Sequence, residues 1–554
     1  MYALKYYVCV LTVILGGSAQ FYSYGIINPS KELVTDWINS TYTARSNGTG
    51  PLSLTELNLV WSFVVSSVAV GAIVGALFVR VLAEYCGRRN GLLLNGMLNV
   101  AGAACQLFAQ PLALPELLIV GRLMLGVCMG VTSGLVPMYL MEITPAKHRG
   151  PAGTLHQVAV AFSDWFSLLI GLPEVAGGSG SWPIAFALPG LFALALCIIL
   201  PFCPESPRYL LMTRGERLKA KEAVRQFVGD QECDAAFDAI MREAILAEVG
   251  FLACSITTTS IQHGKKATWK ELLSNPQFRI PLGVSITVMV AQQFTGCTAV
   301  FAFSTDMFIS ANLKPYASLR DGRLTHKHIL SDCRQNARFS TLAIGIVYFC
   351  SALMSPFLIE RVGRRPLLLF QLASCMLSLT ALSIFTALLA FQWAHVGTII
   401  SLVVYMAVYG VGSPIPWMIT GELFCHKYRA LAVTLSVFVS WTLAFVISTS
   451  YLPFQQLVGD ALSYVPFIVG STVLFTILYL LLPETRGRSP DAIVAEVRSR
   501  SETLSARQPR NTSRRVSPTS GGADDGSSVA ESSLLRGRPT NVGDYGSVTD
   551  SQSA

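Results

Sequence analysis

The 554-residue chain carries 41 Lys+Arg and 33 Asp+Glu, 13% charged against 52% hydrophobic, about half the charge density of an ordinary soluble domain. More than half of those charges fall in residues 204–278 and 484–554, so the rest of the chain cannot cover a water-soluble surface. This excludes a soluble multidomain enzyme and a disordered or collagenous chain. A net charge of +8 with no long basic run or zinc-finger pattern excludes a nucleic-acid binder.

Crossing a bilayer as a helix takes about 20 mostly apolar residues. Twelve such stretches occur, at 6–27, 58–80, 91–110, 115–140, 152–172, 183–203, 280–310, 338–359, 366–391, 396–421, 431–453 and 464–483, numbered here as spans 1 to 12. The first follows Lys5 and has no small-residue cleavage pattern, so it is expected to stay as a span. The 13 cysteines are scattered through apolar stretches without a CxxC pair, and only Cys333 falls in a segment placed outside the cell, which argues against a disulfide framework.

Orientation follows from the basic residues in short loops. Arg80, Arg88 and Arg89 follow span 2, Lys147 and Arg149 follow span 4, Arg361, Arg364 and Arg365 follow span 8, and Lys427 and Arg429 follow span 10. The loops after spans 3, 5, 9 and 11 hold no Lys or Arg, which predicts cytoplasmic N- and C-termini. The segment 311–337, with Lys314, Arg320, Arg323, Lys327 and Arg334, runs against this trend. Glycosylation sequons at Asn39 and Asn47 fall in the first external loop and agree with it, whereas Asn511 falls in the cytoplasmic tail.

The two halves repeat. Glu84–Arg89 returns as Glu360–Arg365, Glu142…Arg149 as Glu422…Arg429, and Pro204-Glu205 as Pro483-Glu484, all at nearly one offset. The expected division is an N-terminal six-helix bundle (1–203), a cytoplasmic helical linker (204–278), a C-terminal six-helix bundle (279–483) and a disordered tail (484–554). The fold class is an all-α membrane protein of major facilitator architecture, with two pseudo-symmetric halves around a midplane site.

Several of these stretches together resemble the facilitative hexose transporter (GLUT-type) family. They are Gly87-Arg88-Arg89, Pro137-Met138-Tyr139, Gly153-Thr154-Leu155-His156-Gln157, Pro204-Glu205-Ser206-Pro207-Arg208, Gln292-Gln293-Phe294-Thr295-Gly296, Glu360–Arg365, Pro414-Ile415-Pro416-Trp417 and Pro483–Arg488. The likeness covers nearly all of residues 8–490.

Charges at helix ends inside a bundle are costly unless paired. Arg88, Arg89, Glu142, Arg149, Glu205, Arg364, Arg365, Glu422, Arg429 and Glu484 all fall at cytoplasmic helix ends. They are expected to pair between the halves as a cytoplasmic gate that holds the outward-facing state; the plainer reading is surface ion pairs that fix topology.

A neutral sugar needs side chains that both donate and accept, with an aromatic face for its C–H surface. Gln157 in span 5 and Gln292 and Gln293 in span 7 are amides within apolar helices, and Trp417 and Trp441 lie in spans 10 and 11. The resemblance implies that Gln157, Gln292, Gln293 and Trp417 line the site, with Trp441 in or near it; core packing is the plainer role for the tryptophans. The chain departs from the family pattern in having Thr298, Tyr348 and Ser440 where Asn is usual, and Tyr409 where Glu is common. Met289-Val290-Ala291 replaces a Gln-Leu-Ser triplet, and Ala302-Phe303 a tyrosine pair. These changes leave glucose, fructose or a related neutral polyol open as the solute.

Asp164 lies seven residues after Gln157, which returns it to within about 20° of the same helix face. It is read as a cavity wall, a sugar ligand or a proton relay. The carboxylate that proton-using sugar porters carry in span 1 is absent from Gln20–Tyr24, and Asp306 is read as a solvated rim. Nothing in the chain points to a metal, a cofactor, a phosphate-binding loop or enzymatic chemistry. In the tail, Arg514–Ser517 has a basophilic kinase pattern and Tyr545–Val548 a trafficking-adaptor pattern, both short enough to arise by composition. The expected function is plasma-membrane uniport of a hexose by alternating access. The alternatives are a proton-coupled symporter using Asp164 and a membrane sugar receptor that does not transport.

Overall fold

The computed structural model describes residues 4–45, 53–145, 148–255, 268–274, 276–301, 326–389, 391–424, 426–488 and 490–507. Among the described residues helix is the regular structure throughout, as expected where no water is present to satisfy backbone groups. Eleven helices are long and apolar enough to cross a membrane. They are Leu4–Gly25, Leu59–Cys86, Arg88–Ala109, Pro115–Ile143, Trp182–Phe202, Phe278–Phe301, Phe339–Val362, Arg364–Ala387, Trp393–Glu422, Tyr428–Tyr451 and Leu462–Leu481. The stretch expected as span 5 is the helix Arg149–Ile170. Its His156, Gln157 and Asp164 make it too polar to count among the eleven, yet it packs inside the bundle beside span 8, where Leu168 and Trp165 crowd Gly345.

Several boundaries differ from expectation. The external loop after span 1 is largely the helix Ile27–Arg45, whose Val34 and Ile38 are buried and whose Trp37 ring lies 5.1 Å from that of Trp182. Span 8 belongs to a helix that starts at His326, so Lys327 and Arg334 lie on that helix rather than in a loop. Residues 302–325, with Lys314, Arg320, Arg323, Ala302, Phe303 and Asp306, lie outside the described residues, as do Asn47, Lys147 and the tail motifs. The linker forms helices Arg217–Val228, Cys233–Ser255 and Trp269–Ser274.

The tail is a correction. Residues Pro490–Arg507 form a helix, not a disordered strand of chain. Ile493 and Val497 are buried in one core with Leu272, Leu478 and Leu482, and Arg500 donates to the Leu482 carbonyl at 3.1 Å. The composition of the whole tail masked this short amphipathic segment, whose two buried apolar residues, Ile493 and Val497, stand four apart on one face.

Spans 2 and 4 pack more closely than ordinary side chains allow. A Cβ on Gly71 or Gly75 would strike the backbone of Leu123 or Val127, and one on Gly126 or Gly130 that of Val68 or Ala72. Each helix therefore offers a pair of glycines four residues apart, and the two backbones meet along that stripe. Because the obstacle is backbone, it cannot move aside. Gly130→Val should cost at least the ~1–3 kcal/mol of an overpacked core and cut the monodisperse fraction of detergent-extracted protein several-fold. Gly180→Val is the control: a Cβ there meets nothing within 4 Å, and the elution profile should not change.

Candidate functional site

Two helices start in the same unusual way. Arg88–Ala109 begins after Gly87 at φ 92°, and Arg364–Ala387 after Gly363 at φ 102°, both in the left-handed region that favours glycine. A Cβ on Gly87 would lie 2.5 Å from Glu205 Oε2, and one on Gly363 2.8 Å from Glu484 Oε2. With only hydrogen there, each carboxylate reaches the exposed first turn. Glu205 Oε1 accepts from the Arg88 and Arg89 amides at 3.0 Å each, and Glu484 from the Arg364 and Arg365 amides at 3.0 and 3.1 Å. Both carboxylates thus satisfy orphan N–H groups at the positive end of a helix dipole.

The side chains of these arginines complete each cluster. Arg88 pairs with Glu142 at 2.8 Å, and Glu142 also accepts from the Ser206 hydroxyl at 2.5 Å. Arg364 pairs with Glu422 at 3.2 Å, and Glu422 accepts from the Thr485 hydroxyl at 2.6 Å. The Tyr209 ring lies 4.9 Å from the Arg88 guanidinium and the Tyr479 ring 5.7 Å from that of Arg365.

The expected pairing between halves is corrected for two of the pairs: Arg88 with Glu142 and Arg364 with Glu422 close within their own halves. The capping geometry dictates this, because Glu205 and Glu484 each follow the last span of their own half and lie beside the helix start they satisfy. Arg149 bonds Glu243 at 3.0 Å, Arg208 bonds the same carboxylate, and Arg429 reaches the Phe424 carbonyl at 3.5 Å. Burial, then the cations of Arg149 and Arg429, push the Arg208 guanidinium down to about 10, with Glu243 opposing them. Where the halves meet at this end, the Arg364 guanidinium and methionines pack against glycines: a Cβ on Gly150 would sit 3.0 Å from the Arg364 guanidinium. A Cβ on Gly153 would sit 3.0 Å from Met418 and 3.4 Å from Met141, and one on Gly421 3.1 Å from Met141.

Deeper in the bundle the amides gather around hydroxyls. Gln292 donates to the Tyr409 hydroxyl at 2.8 Å and accepts from Gln371 at 3.3 Å. Gln293 donates to the Ser440 hydroxyl at 3.0 Å and accepts from Thr298 at 2.8 Å. Gln157 crosses to the C-terminal half, donating to the Tyr348 hydroxyl at 3.1 Å. Four of the departures from the family pattern (Thr298, Tyr348, Tyr409 and Ser440) are thus partners of glutamines. Trp441 donates to Ser133 at 3.3 Å, and its ring lies 6.2 Å from those of Phe21 and Tyr24. Asp164 is half-buried and lies near the phenols of Tyr24 and Tyr348.

Between this cluster and the capped helix ends lies a cavity of about 10 Å³, lined by residues of both halves that include Ser133, Met141, Met289, Trp417 and Arg429. It is far smaller than ligand pockets, which run from roughly 300 to 1,000 Å³, so the site is closed in this structure. Trp417 is part of its wall; Gln157, Gln292 and Gln293 are not, because each is turned to a protein hydroxyl. Sequence reasoning missed Glu243, Gln371, Ser206 and Thr485. The last two directly follow the repeated Pro-Glu pairs, a signal that was available; Glu243 lies on a linker helix with no repeat to mark it. Replacing either cap, Glu205→Gln or Glu484→Gln, should destabilise the protein by about 1 kcal/mol or more and lower its melting temperature in detergent. The two variants should behave alike because the two geometries match.

The chain matches the family described as "Sugar (and other) transporter" over residues 8–496. It is 30% identical to solute carrier family 2, facilitated glucose transporter member 1 of Gallus gallus, over 89% of this chain and 94% of that one. It is 31% identical to member 4 of Mus musculus, over 87% of this chain and 89% of that one. Among solved structures, the proton:xylose symporter XylE bound to 6-bromo-6-deoxy-D-glucose superposes with a TM-score of 0.67 at 18% identity, covering 89% of this chain and 98% of that one. An inward-open form of XylE from E. coli gives 0.60 at 18% identity, over 89% and 99%. The helical bundle thus has the major facilitator fold, and with its repeated capping clusters and matched length the chain belongs to the sugar (and other) transporter family, a family of membrane transporters rather than enzymes, in its solute carrier 2 branch.

Proposed function

We propose that the chain is a uniporter that moves a hexose such as glucose or fructose down its gradient by alternating access, in the plasma membrane and with both termini cytoplasmic. The observation that carries this reading is the set of amide–hydroxyl bonds where the halves meet. Gln157, Gln292 and Gln293 each hold a bond to a neutral hydroxyl of the protein. A polyhydroxy solute offers the same chemistry, so it can exchange for these bonds without stranding a buried amide. Trp417 and Trp441 supply apolar faces for its ring.

Each half, 1–203 and 279–483, moves as a body, braced by its own capping cluster. The linker 204–278 ties the N-terminal cluster down through Glu243, and the helix 490–507 braces the C-terminal core. Because the Arg88–Glu142 and Arg364–Glu422 pairs lie within the halves, opening at this end leaves both pairs intact while methionine contacts part, which keeps the two states close in energy. Arg88, Glu142, Arg364 and Glu422 then act on the gate by holding its helices in position. Glycans on Asn39 and Asn47 would face outward, although the Thr41 hydroxyl of the first sequon is engaged with the Trp37 carbonyl at 2.8 Å.

Uniport is favoured over proton symport by span 1. At the stretch where proton-using relatives would carry an acid, Gln20 donates to the Gly17 carbonyl at 2.7 Å and to Thr132, and accepts from Asn99 at 3.2 Å, a network of neutral groups.

Purified protein in proteoliposomes should equilibrate labelled hexose and stop there. Accumulation above equilibrium under a pH gradient would overturn uniport, and the absence of any uptake would favour a receptor. Gln293→Ala should raise KM about tenfold, the loss of one or two hydrogen bonds, with delivery to the membrane unchanged. Glu422→Gln should instead lower turnover at saturating sugar; rates equal to wild type would count against a role in gating.

A further inference from the structure

Among the described residues the Asp164 side chain has no polar partner. It sits two turns from Gln157 on the helix Arg149–Ile170, half-buried inside the bundle. Its backbone carbonyl accepts from Ser167 at 2.6 Å, but among the described residues its carboxylate has neither a hydrogen-bond donor nor a cation. Span 1 packs beside it, where a Cβ on Gly25 would lie 3.0 Å from the Asp164 carbonyl, and its charge acts on the phenols of Tyr24 from span 1 and Tyr348 from span 8. The Arg122 guanidinium acts on Tyr24 but is committed to the carbonyls of Val64 and Ser23 at 2.7 and 3.2 Å. His156, on the same helix as Asp164, is bonded to Ser18 at 2.8 Å.

An unpaired carboxylate away from bulk water is costly and attracts a positive partner. A carboxylate beside two aromatic rings has the composition of an ammonium-binding site, since the ring faces favour a cation that the carboxylate holds by charge-assisted hydrogen bonds. Tyr348 is shared with the sugar site, because its hydroxyl accepts from Gln157. A ligand that satisfies both features is a sugar ring bearing one protonated amine.

We propose that Asp164 makes the central site selective for amino-hexoses, with the ammonium against the Asp164 carboxylate beside Tyr24 and Tyr348 and the ring hydroxyls on Gln157 and the span 7 amides. This rests on the hexose reading above and names a substrate class within it. No proton need cross the membrane with the solute, because the solute brings its own positive charge.

The test compares three inhibitors of labelled neutral hexose uptake into proteoliposomes at a pH that protonates the amine: a 2-amino-2-deoxyhexose, its N-acetyl derivative and the parent hexose. In wild type the amine should inhibit at about tenfold lower concentration than the other two, the worth of one charge-assisted contact. Asp164→Asn should bring the three together, and Asp164→Glu should keep part of the preference. Equal inhibition in wild type, or a preference that survives Asp164→Asn, overturns the proposal, and the wild-type comparison needs no variant to fold. If wild-type vesicles take up no neutral hexose, the transport reading fails instead. Amine recognition is then read on its own, as a rise in melting temperature with the amino-hexose over its N-acetyl derivative that Asp164→Asn must remove.

Discussion

A polar group inside an apolar bundle must find a partner within the protein, and the bundle meets this demand in two different ways. At one end it uses full charges in fixed geometry: a carboxylate on backbone amides, a guanidinium on a second carboxylate, a hydroxyl on what remains. At its centre it uses neutral amides on neutral hydroxyls. The first kind of contact leaves a bare charge when broken, which costs several kcal/mol. The second costs little to exchange, because any hydroxyl, on the protein or on a solute, can take the same place. The rigid and the exchangeable parts of the molecule are thus set apart by the chemistry of their bonds.

The duplication explains why the rigid part appears twice. Gly87 and Gly363 leave room for Glu205 and Glu484, and Glu142 and Glu422 receive Arg88 and Arg364. The two copies have drifted in their supports. Glu142 is 3% exposed and is reinforced from Ser206, whereas Glu422 keeps more access to solvent and relies on Thr485. The N-terminal copy is flanked by Arg149 and Arg208 on Glu243 of the linker, and the C-terminal core by Ile493 and Val497 of the tail helix. Each half has recruited its own following segment as a strut.

Much of this was legible in the sequence because apolar length, basic-loop bias and a repeated motif are one-dimensional signals. The spans, the two halves and the identity of the paired charges follow from them. The pairing scheme does not, since the spacing of Glu142 and Arg88 says nothing about which half closes around which. The helix Arg149–Ile170 is legible as a span in spite of His156, Gln157 and Asp164, because most of its other residues are apolar or small. The tail helix was missed for the opposite reason: averaging over residues 484–554 hid two apolar residues four apart. At the centre, Gln157, Gln292 and Gln293 stood out as amides in apolar helices, but their partners Tyr348, Tyr409, Ser440 and Thr298 looked like losses. In space they are the acceptors and donors that the amides use.

That substitution pattern bears on how the carrier lets go of its cargo. Millimolar binding corresponds to only ~4 kcal/mol, and a solute that displaced water from bare amides would gain more than a carrier can release quickly. Here each amide already holds a protein hydroxyl, so binding a sugar exchanges one hydroxyl for another and the net gain per contact stays small. Phe301 adds to the effect, its ring lying 4.9 Å from that of Tyr348 and 5.8 Å from that of Tyr409, so these phenols are held near the amides by packing. When the solute leaves, the same hydroxyls are at hand to reclose the bonds. An amide that always has somewhere to turn makes the empty site stable, and a stable empty site is what allows the halves to return without cargo, the step on which the proposed downhill transport depends.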